Sequence, residues 1–557
     1  MIGLIASISL LIYLKTSETA DTSDPQNLKN ITESNIDSSI ETLRDEFFDG
    51  LSGDNFTKAR ELLDEAEASG DLSDDDIAIW EAYYYQATGD PYMAVTYMNR
   101  LVSVDLNPEC LALMADLLRS LCRYDEAIEY YDRLLTFVNS GYEPSALYFA
   151  WHAAIGMYDL ELAAHYADRL LSEWPESDYA LHFLFDEACY SNDVEAMVES
   201  YETLRDRFSA DSSFTRDDLN QVCGYHEAVI AFAERDPDQV PEILMQYDYY
   251  ESNPFQSLLW LIHLELLHNR FDNALQAAIG GVMNTCEAYD LDSIRYDIPD
   301  ELSDAEMMYG VPFPSYGAQF FANAAFSELC RGNIVWARQL AGQARIHADY
   351  IARPRIIKMI AYMCENDLYT AMIHIRSGMN ANPYDMDLKL CYLLLARIDS
   401  SLEQSSYPEY SVFLNEVLET TRDFHMAYPD NPETMYHYGM ACLISGDLEN
   451  ASVLLDLFEA NGRVQAYITD PAAYIALTEG SNAAYEFMHT IDLYPSFVIL
   501  CDLLIYAAVF QSEEILDVVM RMEPELNPVG EFDRELRSLY DLARARIDGE
   551  YVPQGKV

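Results

Sequence analysis

Small residues recur along this chain at intervals close to 34 residues, and this periodicity restricts the fold more than any other feature. Members of the series are Ala59, Ala94, Ala127, Ala163, Ala196, Ala274, Ala337, Ala371 and Ala451. An internal period of this length is typical of a helical pair repeated along the chain. A small side chain lets the two helices of a pair approach closely, because a larger one would hold their backbones apart.

Turn residues precede these alanines, and prolines end the units. The turns are Gly89-Asp90, Arg123-Tyr124-Asp125, Asn192-Asp193, Gly332-Asn333, Asn366-Asp367 and Gly446-Asp447, and the prolines are Pro108, Pro175, Pro383, Pro432 and Pro495. Proline fits the first turn of a helix and stops the helix before it. A single pair cannot bury its apolar face alone, so neighbouring pairs must stack. The sequence therefore predicts an all-α fold, an α-α superhelix of roughly 13 to 15 antiparallel helix pairs.

Composition agrees with a long helical array. The 557 residues exceed what one core can organise, half of them are apolar, and only 22 glycines and 21 prolines interrupt them. None of the ten cysteines forms a CxxC pair. We expect buried, reduced thiols, because disulfide frameworks belong to small loop-rich chains.

The pattern resembles the tetratricopeptide repeat (TPR), a 34-residue helix-turn-helix with small residues at positions 8 and 20. The unit that begins at Pro432 has Gly439 at position 8 and Ala451 at position 20. The unit that begins at Pro108 has Ala115 and Ala127 at these positions. The unit that begins at Pro144 departs from the pattern with Trp151 at position 8, where we expect the packing to open. The resemblance is clear over about 40–208 and 316–480, and poor over 205–255, 285–317 and 395–430.

These observations predict the organisation of the chain. The expected segments are an apolar N-terminal anchor or truncated signal (1–15), a polar linker (16–37), a first helical array (38–286), an irregular insert (287–315), a second helical array (316–548) and a flexible tail (549–557). The insert could be a lid, a partner-binding loop or a long connection.

The first fourteen residues, MIGLIASISLLIYL, are apolar without interruption. As a helix they reach about 21 Å, short of the roughly 30 Å bilayer core. Three readings stay open: an anchor or signal whose start lies upstream, a short anchor, or a buried helix. An apolar run followed by a polar spacer favours the anchor. We expect an envelope-associated protein anchored to a membrane, with a cytoplasmic location as the alternative.

The charge balance is strongly acidic, with 95 acidic residues against 33 basic ones and a net charge of −62. Nucleic acid is excluded as a partner, since binding phosphates requires clustered lysine and arginine. A basic protein or peptide would be attracted towards the chain. The alternative is a solvated acidic surface that keeps a long array soluble.

The resemblance implies a concave groove lined by the first helix of each pair, at positions 2, 5, 9 and 12 of each unit. The candidate binding residues are Asp76, Tyr83, Gln86, Glu109, Asp116, Arg119, Tyr148, His152, Glu433 and Tyr436. Carboxylates, tyrosines and a histidine suit a basic or mixed peptide.

No motif for catalysis, cofactor binding or metal binding is present: HExxH, GxxxxGK[ST], GxGxxG after a strand and GxSxG are all missing. The sequence predicts a non-catalytic interaction scaffold with a protein or peptide partner. A regulatory or recruiting subunit of an envelope enzyme is the alternative, and an enzyme with unrecognised chemistry is a third hypothesis.

Overall fold

The computed structural model describes residues 38–52, 56–69, 72–101, 107–137, 140–210, 216–247, 254–285, 314–402, 409–461, 465–530 and 532–553. These ranges contain α-helices and short 3-10 helices, and they contain no strand. The all-α prediction is therefore confirmed. The predicted anchor (1–15), the linker (16–37) and all but the end of the insert (287–315) lie outside the described residues.

Twenty-seven α-helices follow one another in the described part of the chain. The first fourteen are α1 (Ser38–Ser52), α2 (Phe56–Ser69), α3 (Asp74–Ala87), α4 (Pro91–Met98), α5 (Pro108–Ser120), α6 (Tyr124–Leu134), α7 (Glu143–Gly156), α8 (Leu160–Glu173), α9 (Asp178–Ser191), α10 (Val194–Ala210), α11 (Arg216–Ala233), α12 (Val240–Gln246), α13 (Pro254–Leu267) and α14 (Phe271–Thr285). The others are α15 (Pro314–Cys330), α16 (Ile334–His347), α17 (Ala352–Cys364), α18 (Leu368–Ala381), α19 (Met386–Ile398), α20 (Tyr410–Ala427), α21 (Pro432–Ser445), α22 (Val453–Ala460), α23 (Thr469–Thr478), α24 (Ser481–Met488), α25 (Phe497–Phe510), α26 (Glu513–Leu526) and α27 (Asp533–Ile547).

In chain order the helices make up thirteen consecutive pairs, α1/α2 to α25/α26, with α27 following the last pair. In eleven of these pairs the turn between the helices holds one residue in the left-handed region. These residues are Gly89, Cys122, Tyr158, Asn192, Arg235, Asn269, Gly332, Asn366, Gly446, Gly480 and Gln511. A left-handed residue ends a helix by redirecting the chain. The same turn thus repeats although the amino acid at its centre varies.

An aspartate after the left-handed residue begins the second helix of several pairs. Asp90 Oδ1 accepts a hydrogen bond from the backbone N–H of Met93, and Asp367 does the same for Thr370. Such a cap satisfies one of the otherwise unpaired N–H groups at a helix start. Gly-Asp and Asn-Asp therefore both stop one helix and start the next.

The chain forms two compact units. Among the described residues, the first unit contains α1 to α8 and the start of α9 up to Phe183, together with Pro314–Tyr316, and the second contains the chain from Leu184 to α27 apart from those three residues. The division of the arrays at 287–315 stays a prediction, because the insert itself is not described. Helix α15 begins at Pro314, so the end of the predicted insert is helical.

One sequence expectation changes in the structure. Trp151 is buried without opening the α7/α8 pair, because its ring points to α9 and meets Phe183 edge-on at 4.9 Å between centroids. Tyr551 donates a hydrogen bond of 2.7 Å to Oδ2 of Asp399, and the flexible tail over 549–557 stays a prediction. No helix in the described ranges is long and apolar enough to cross a membrane.

Candidate interaction surface of the first unit

The first helices of the first unit place aromatic and charged side chains in a row, which we call the first-helix face. It consists of Phe48 on α1, Tyr83 on α3, Glu109 on α5, Tyr148 and His152 on α7, and Tyr179 and His182 on α9. Contacts among these side chains join one first helix to the next or lie within one. Side chains in this position line the binding groove that the resemblance implies.

One end of the first-helix face is centred on Glu109. The hydroxyl of Tyr83 donates a hydrogen bond of 3.1 Å to Oε1 of Glu109, and the ring of Tyr83 meets Phe48 edge-on at 5.4 Å. Glu109 is 6% exposed. Burial raises the pKa of its carboxyl, while the hydrogen bond from Tyr83 and the charge of Arg44 oppose that rise. A carboxylate in such surroundings gains from a cation that reaches it.

The pKa values of two tyrosines near Glu109 are also raised. Burial, together with the negative charge of Glu109, raises the pKa of Tyr142 to about 12 and holds the pKa of Tyr83 well above its ordinary value. Both phenols therefore stay protonated at neutral pH and act as hydrogen-bond donors. This end of the face therefore combines the carboxyl of Glu109 with the neutral phenol of Tyr83, and the phenol of Tyr142 lies close to it.

The other end of the first-helix face is an aromatic cluster around Tyr148. His152 meets the Tyr148 ring edge-on at 4.6 Å, and Tyr179 and His182 lie 5.7 and 6.5 Å from it. Tyr148 is buried, whereas the other three rings are half-buried and keep part of their surface accessible. Aromatic rings with one accessible edge are favourable anchors for a bound peptide.

Three of the predicted groove residues make contacts within the helical array. Asp76 forms a capping box at the start of α3, because it accepts hydrogen bonds from the backbone and hydroxyl of Ser73 at 3.2 and 2.6 Å. Asp116 accepts a hydrogen bond of 2.5 Å from the hydroxyl of Tyr131, which ties α5 to α6. Arg119 is buried, with its guanidinium 4.5 Å from the centre of the Phe149 ring. These side chains stabilise the array itself.

Gln86 and Glu433 are half-buried near the ends of their helices, and Glu433 Oε1 lies 4.0 Å from Nδ1 of His437. Tyr436 is only 1% exposed and lies in the interior of the second unit. Burial, followed by the negative charges of Asp470 and Asp387, raises its pKa well above the ordinary value. Tyr436 is therefore inaccessible to a partner in this structure.

Helix α25 explains the burial of Tyr436. Every residue from Phe497 to Val509 is buried, and Tyr506 donates a hydrogen bond to Asp470 on α23 while its hydroxyl lies 3.9 Å from Sδ of Met440 on α21. The face of α21 and α23 that would line a groove is thus covered by the chain's own helix. The family pattern, which states which repeat positions face the groove, cannot predict this burial, because it assumes an open groove.

Tyr179 and His182 are not among the predicted groove residues, because the sequence pattern gave no unit that starts at Asp178. Pro175 precedes α9 by three residues, whereas the helix begins at Asp178. Counted from Asp178, Tyr179 and His182 fall at positions 2 and 5, the positions expected to face a groove. Both residues could therefore be identified from the sequence once the helix start was placed at Asp178.

The stacked helix pairs with a repeated left-handed turn define an α-solenoid. Residues 108–137 match the family model described as a tetratricopeptide repeat. The resemblance to TPR proteins is therefore confirmed over this repeat. Repeats of this kind support a role as a protein-interaction scaffold.

Comparison with solved structures gives a low-identity match. The chain is 13% identical to a structure described as the APC/C hetero-tetramer Cut9-Hcn1, covering 95% of this chain and 99% of that chain with a TM-score of 0.28. No curated protein matches the sequence. Among the described residues, no group of three or more His, Cys, Asp or Glu side chains is placed to hold a metal ion.

Proposed function

We propose that this protein is a non-catalytic scaffold that binds a basic segment of a partner protein on the first-helix face of its first unit. The observation that carries the proposal is the row of half-buried aromatic side chains and one buried carboxyl contributed by successive first helices. Side chains that pack a pair together cannot serve a partner, whereas Tyr83, His152, Tyr179 and His182 keep accessible surface.

Charge supports a basic partner. The chain carries a net charge of −62, so a segment rich in lysine or arginine is attracted over long range and its association is accelerated. At short range, Glu109 offers a carboxylate to a cation, and the half-buried rings around Tyr148 offer aromatic surface to an ammonium or guanidinium group. The long-range attraction raises the association rate, and the short-range contacts determine which segment is bound.

Membrane attachment is the second part of the proposal. The uninterrupted apolar run MIGLIASISLLIYL at residues 1–14, followed by a polar spacer, supports an anchor that places the scaffold at an envelope. Alkaline carbonate extraction of membranes from cells that express the full chain tests it. Release of the protein into the carbonate supernatant would contradict the anchor.

Capture of partners by the full chain, with matched variants, tests the binding proposal. The first bait is the unaltered protein, the second carries His152→Ala and His182→Ala, and the third carries His165→Ala as the control. His165 is exposed on α8, outside the first-helix face. Lysate of the source organism is passed over each bait at low and high salt, and the retained proteins are quantified by mass spectrometry.

We expect a protein that the unaltered and His165→Ala baits retain at low salt, and that the double variant and high salt release. Equal retention by all three baits would contradict binding at this face. A stoichiometric partner that resists high salt would instead favour an apolar interface and the alternative role as a subunit of an enzyme complex.

A further inference from the structure

Two buried cysteines from distant parts of the sequence meet inside the second unit. Sγ of Cys364 lies 4.0 Å from Sγ of Cys501, although 137 positions separate the two residues. Cys364 is the last residue of α17, and Cys501 lies in α25. Both thiols are free in this structure. Two thiols in contact have a chemistry that a single buried cysteine lacks, because an oxidant can join them covalently.

The surrounding helices hold the two thiols in place. Helix α25 packs against α19, α23 and α27, and α27 in turn packs against α17. The α15/α16 turn closes the same region, since a Cβ atom on Gly332 would lie 2.7 Å from Cδ1 of Phe532 and 3.6 Å from Cδ2 of Phe497. Phe497 begins α25 and meets Phe532 edge-on at 5.4 Å. The sulfurs therefore stay close together within a packed interior.

A bond between the two sulfurs requires only small movements. The sulfurs must come closer by about 2 Å to reach disulfide distance, so each side chain has to move by about 1 Å. One torsion places the sulfur of a cysteine, and a partial rotation about it moves the sulfur without displacing the helix. Side chains that pointed apart could not make the contact that Cys364 and Cys501 already make.

The two thiols differ in how easily an oxidant reaches them. Cys364 is 5% exposed and is followed by two exposed residues, whereas Cys501 is 0% exposed. Burial holds the pKa of Cys501 well above its ordinary value, and the hydrogen bond with Cys364 and the negative charge of Asp502 add to the rise. Hydrogen peroxide is close to water in size, so it reaches Cys364 first, and Cys501 remains a protonated thiol until its neighbour has reacted.

We propose that Cys364 and Cys501 are an oxidation site, at which a hydroperoxide converts the two thiols into a disulfide that joins α17 to α25. In the first step the sulfur of Cys364 attacks one oxygen of hydrogen peroxide and the O–O bond breaks. Cys364 becomes a sulfenic acid, and the released hydroxide leaves as water with the thiol proton. In the second step the sulfur of Cys501 attacks the sulfenic sulfur, and the S–O bond breaks as the S–S bond forms. A second water leaves with the proton of Cys501, so the two thiols lose two electrons and the peroxide gains them.

The disulfide fastens the helix that covers the inner side of the second unit. Helix α25 covers the face of α21 and α23 that includes Tyr436. A covalent link to α17 opposes any movement of α25 away from that face, and it restricts the unfolded chain across a span of 137 positions. Oxidation therefore stabilises the covered arrangement, whereas packing alone holds α25 in the reduced protein. The proposal does not rest on the first-helix face or on membrane attachment.

Disulfide mapping of the full chain tests the proposal. The reduced protein is treated with hydrogen peroxide, the remaining thiols are blocked with iodoacetamide in denaturant, and the chain is digested without reductant. Mass spectrometry then identifies the peptides that disulfides join. The test variant is Cys501→Ala, and the matched control is Cys391→Ala, which also removes one thiol with no exposed surface, from α19.

We expect a peptide that links Cys364 to Cys501 within one molecule, both in the unaltered chain and in Cys391→Ala. Oxidation should raise the melting temperature of these two proteins by about 5 °C, and dithiothreitol should reverse the rise. Hydrogen exchange in α25 should slow on oxidation, because the link opposes local opening. Cys501→Ala should show neither the linked peptide nor the rise. The linked peptide of the unaltered chain is measured without any variant, so an unstable variant does not obscure the result.

Four results would overturn the proposal. Blocked, unlinked thiols at Cys364 and Cys501 after oxidation would show that the pair does not react. A link through Cys330, whose charge also acts on Cys501, would assign the oxidation to another pair. A link that forms only in denaturant, or only between two molecules, would show that the folded chain does not favour it. A rise in melting temperature that Cys501→Ala retains would have a different cause.

Discussion

His437 and Asp387 form a buried pair in the second unit, with Nε2 of the histidine 2.8 Å from Oδ1 of the aspartate. His437 belongs to α21 and Asp387 to α19, and their side chains are 3% and 8% exposed. A carboxylate in such a position is tolerated only with a close hydrogen-bond donor, because its desolvation is costly. The pair therefore joins the first helices of two successive repeats through a polar contact inside the core.

Replacement of His437 by alanine should destabilise the second unit by about 3 kcal/mol, since Asp387 would stay buried after losing this donor. Hydrogen exchange followed by mass spectrometry checks the prediction, because it reports on α19 and α21 separately from the first unit. Asp387→Asn, which keeps the shape and an acceptor, should lose less protection. Unchanged exchange in both helices of His437→Ala would show that the pair contributes nothing to stability.

Gly439 is required by close packing between α21 and α22. A Cβ atom at this position would lie 2.7 Å from Cδ2 of Leu454 and 2.8 Å from Cγ1 of Val453. Gly439→Ala should therefore destabilise the chain by about 1–3 kcal/mol, because the side chains of α22 must move. Thermal melting measures the effect.

Gly342 provides the matched control for that substitution. It also lies inside a helix, but its Cβ would meet only the end of Lys358, at 3.5 Å and beyond. Gly342→Ala should be neutral or stabilise the chain by about 0.5–1 kcal/mol, because alanine favours helix more than glycine does. Equal losses from both substitutions would argue against close packing as the cause at Gly439.

The contrast between these glycines indicates what the sequence could predict. The small residue at position 8, represented by Gly439, and the turn around Gly446 are local features, so the helix pairs and their register could be read directly. Two of the poorly matching stretches contain long helices: α11 and α20 are each 18 residues long, longer than the family pattern, and this extra length hides the match to the repeat. These two stretches keep their helical propensity although they lack the repeat signature.

The accessible surface was harder to predict, because it depends on how successive pairs accumulate. Tyr436 occupies a position that faces a groove in an open array, yet α25 covers it. That outcome follows from small rotations between pairs, summed over several repeats, and no local pattern encodes them. Asp76 was a different case, since Ser73 three residues earlier already indicated a capping box.

Thiol reactivity should separate the cysteines by burial. Cys122 and Cys189 are half-buried, whereas Cys330, Cys391 and Cys501 are fully enclosed and burial holds their pKa well above the ordinary value. A thiol must ionise and be reached by a reagent before it reacts. Among the nine cysteines in the described residues, we expect Ellman's reagent to modify Cys122 and Cys189 first, and the enclosed thiols only after unfolding.

Peptide mass spectrometry after timed labelling identifies which cysteine has reacted. Labelling in guanidinium chloride serves as the control and should reach all ten cysteines. Early modification of Cys391 or Cys501 in the native protein would contradict the packed interior of the second unit.

Glu109 should make stability depend on pH in the direction opposite to ordinary acid denaturation. Burial raises the pKa of its carboxyl above 4.5, so the folded chain holds this proton more tightly than the unfolded chain does. By linkage, the free energy of unfolding then falls as pH rises from the ordinary value through the raised one. The melting temperature should therefore be higher at pH 4.5 than at pH 7.5, and Glu109→Gln should reduce that difference. Glu129→Gln is the matched control, since Glu129 is exposed on α6 and its removal changes the net charge equally. Melting curves of the three proteins at four pH values distinguish the two causes. An equal pH dependence of the melting temperature in all three proteins would assign the effect to general charge repulsion. A smaller pH dependence in Glu109→Gln alone would assign it to the buried carboxyl on the first-helix face.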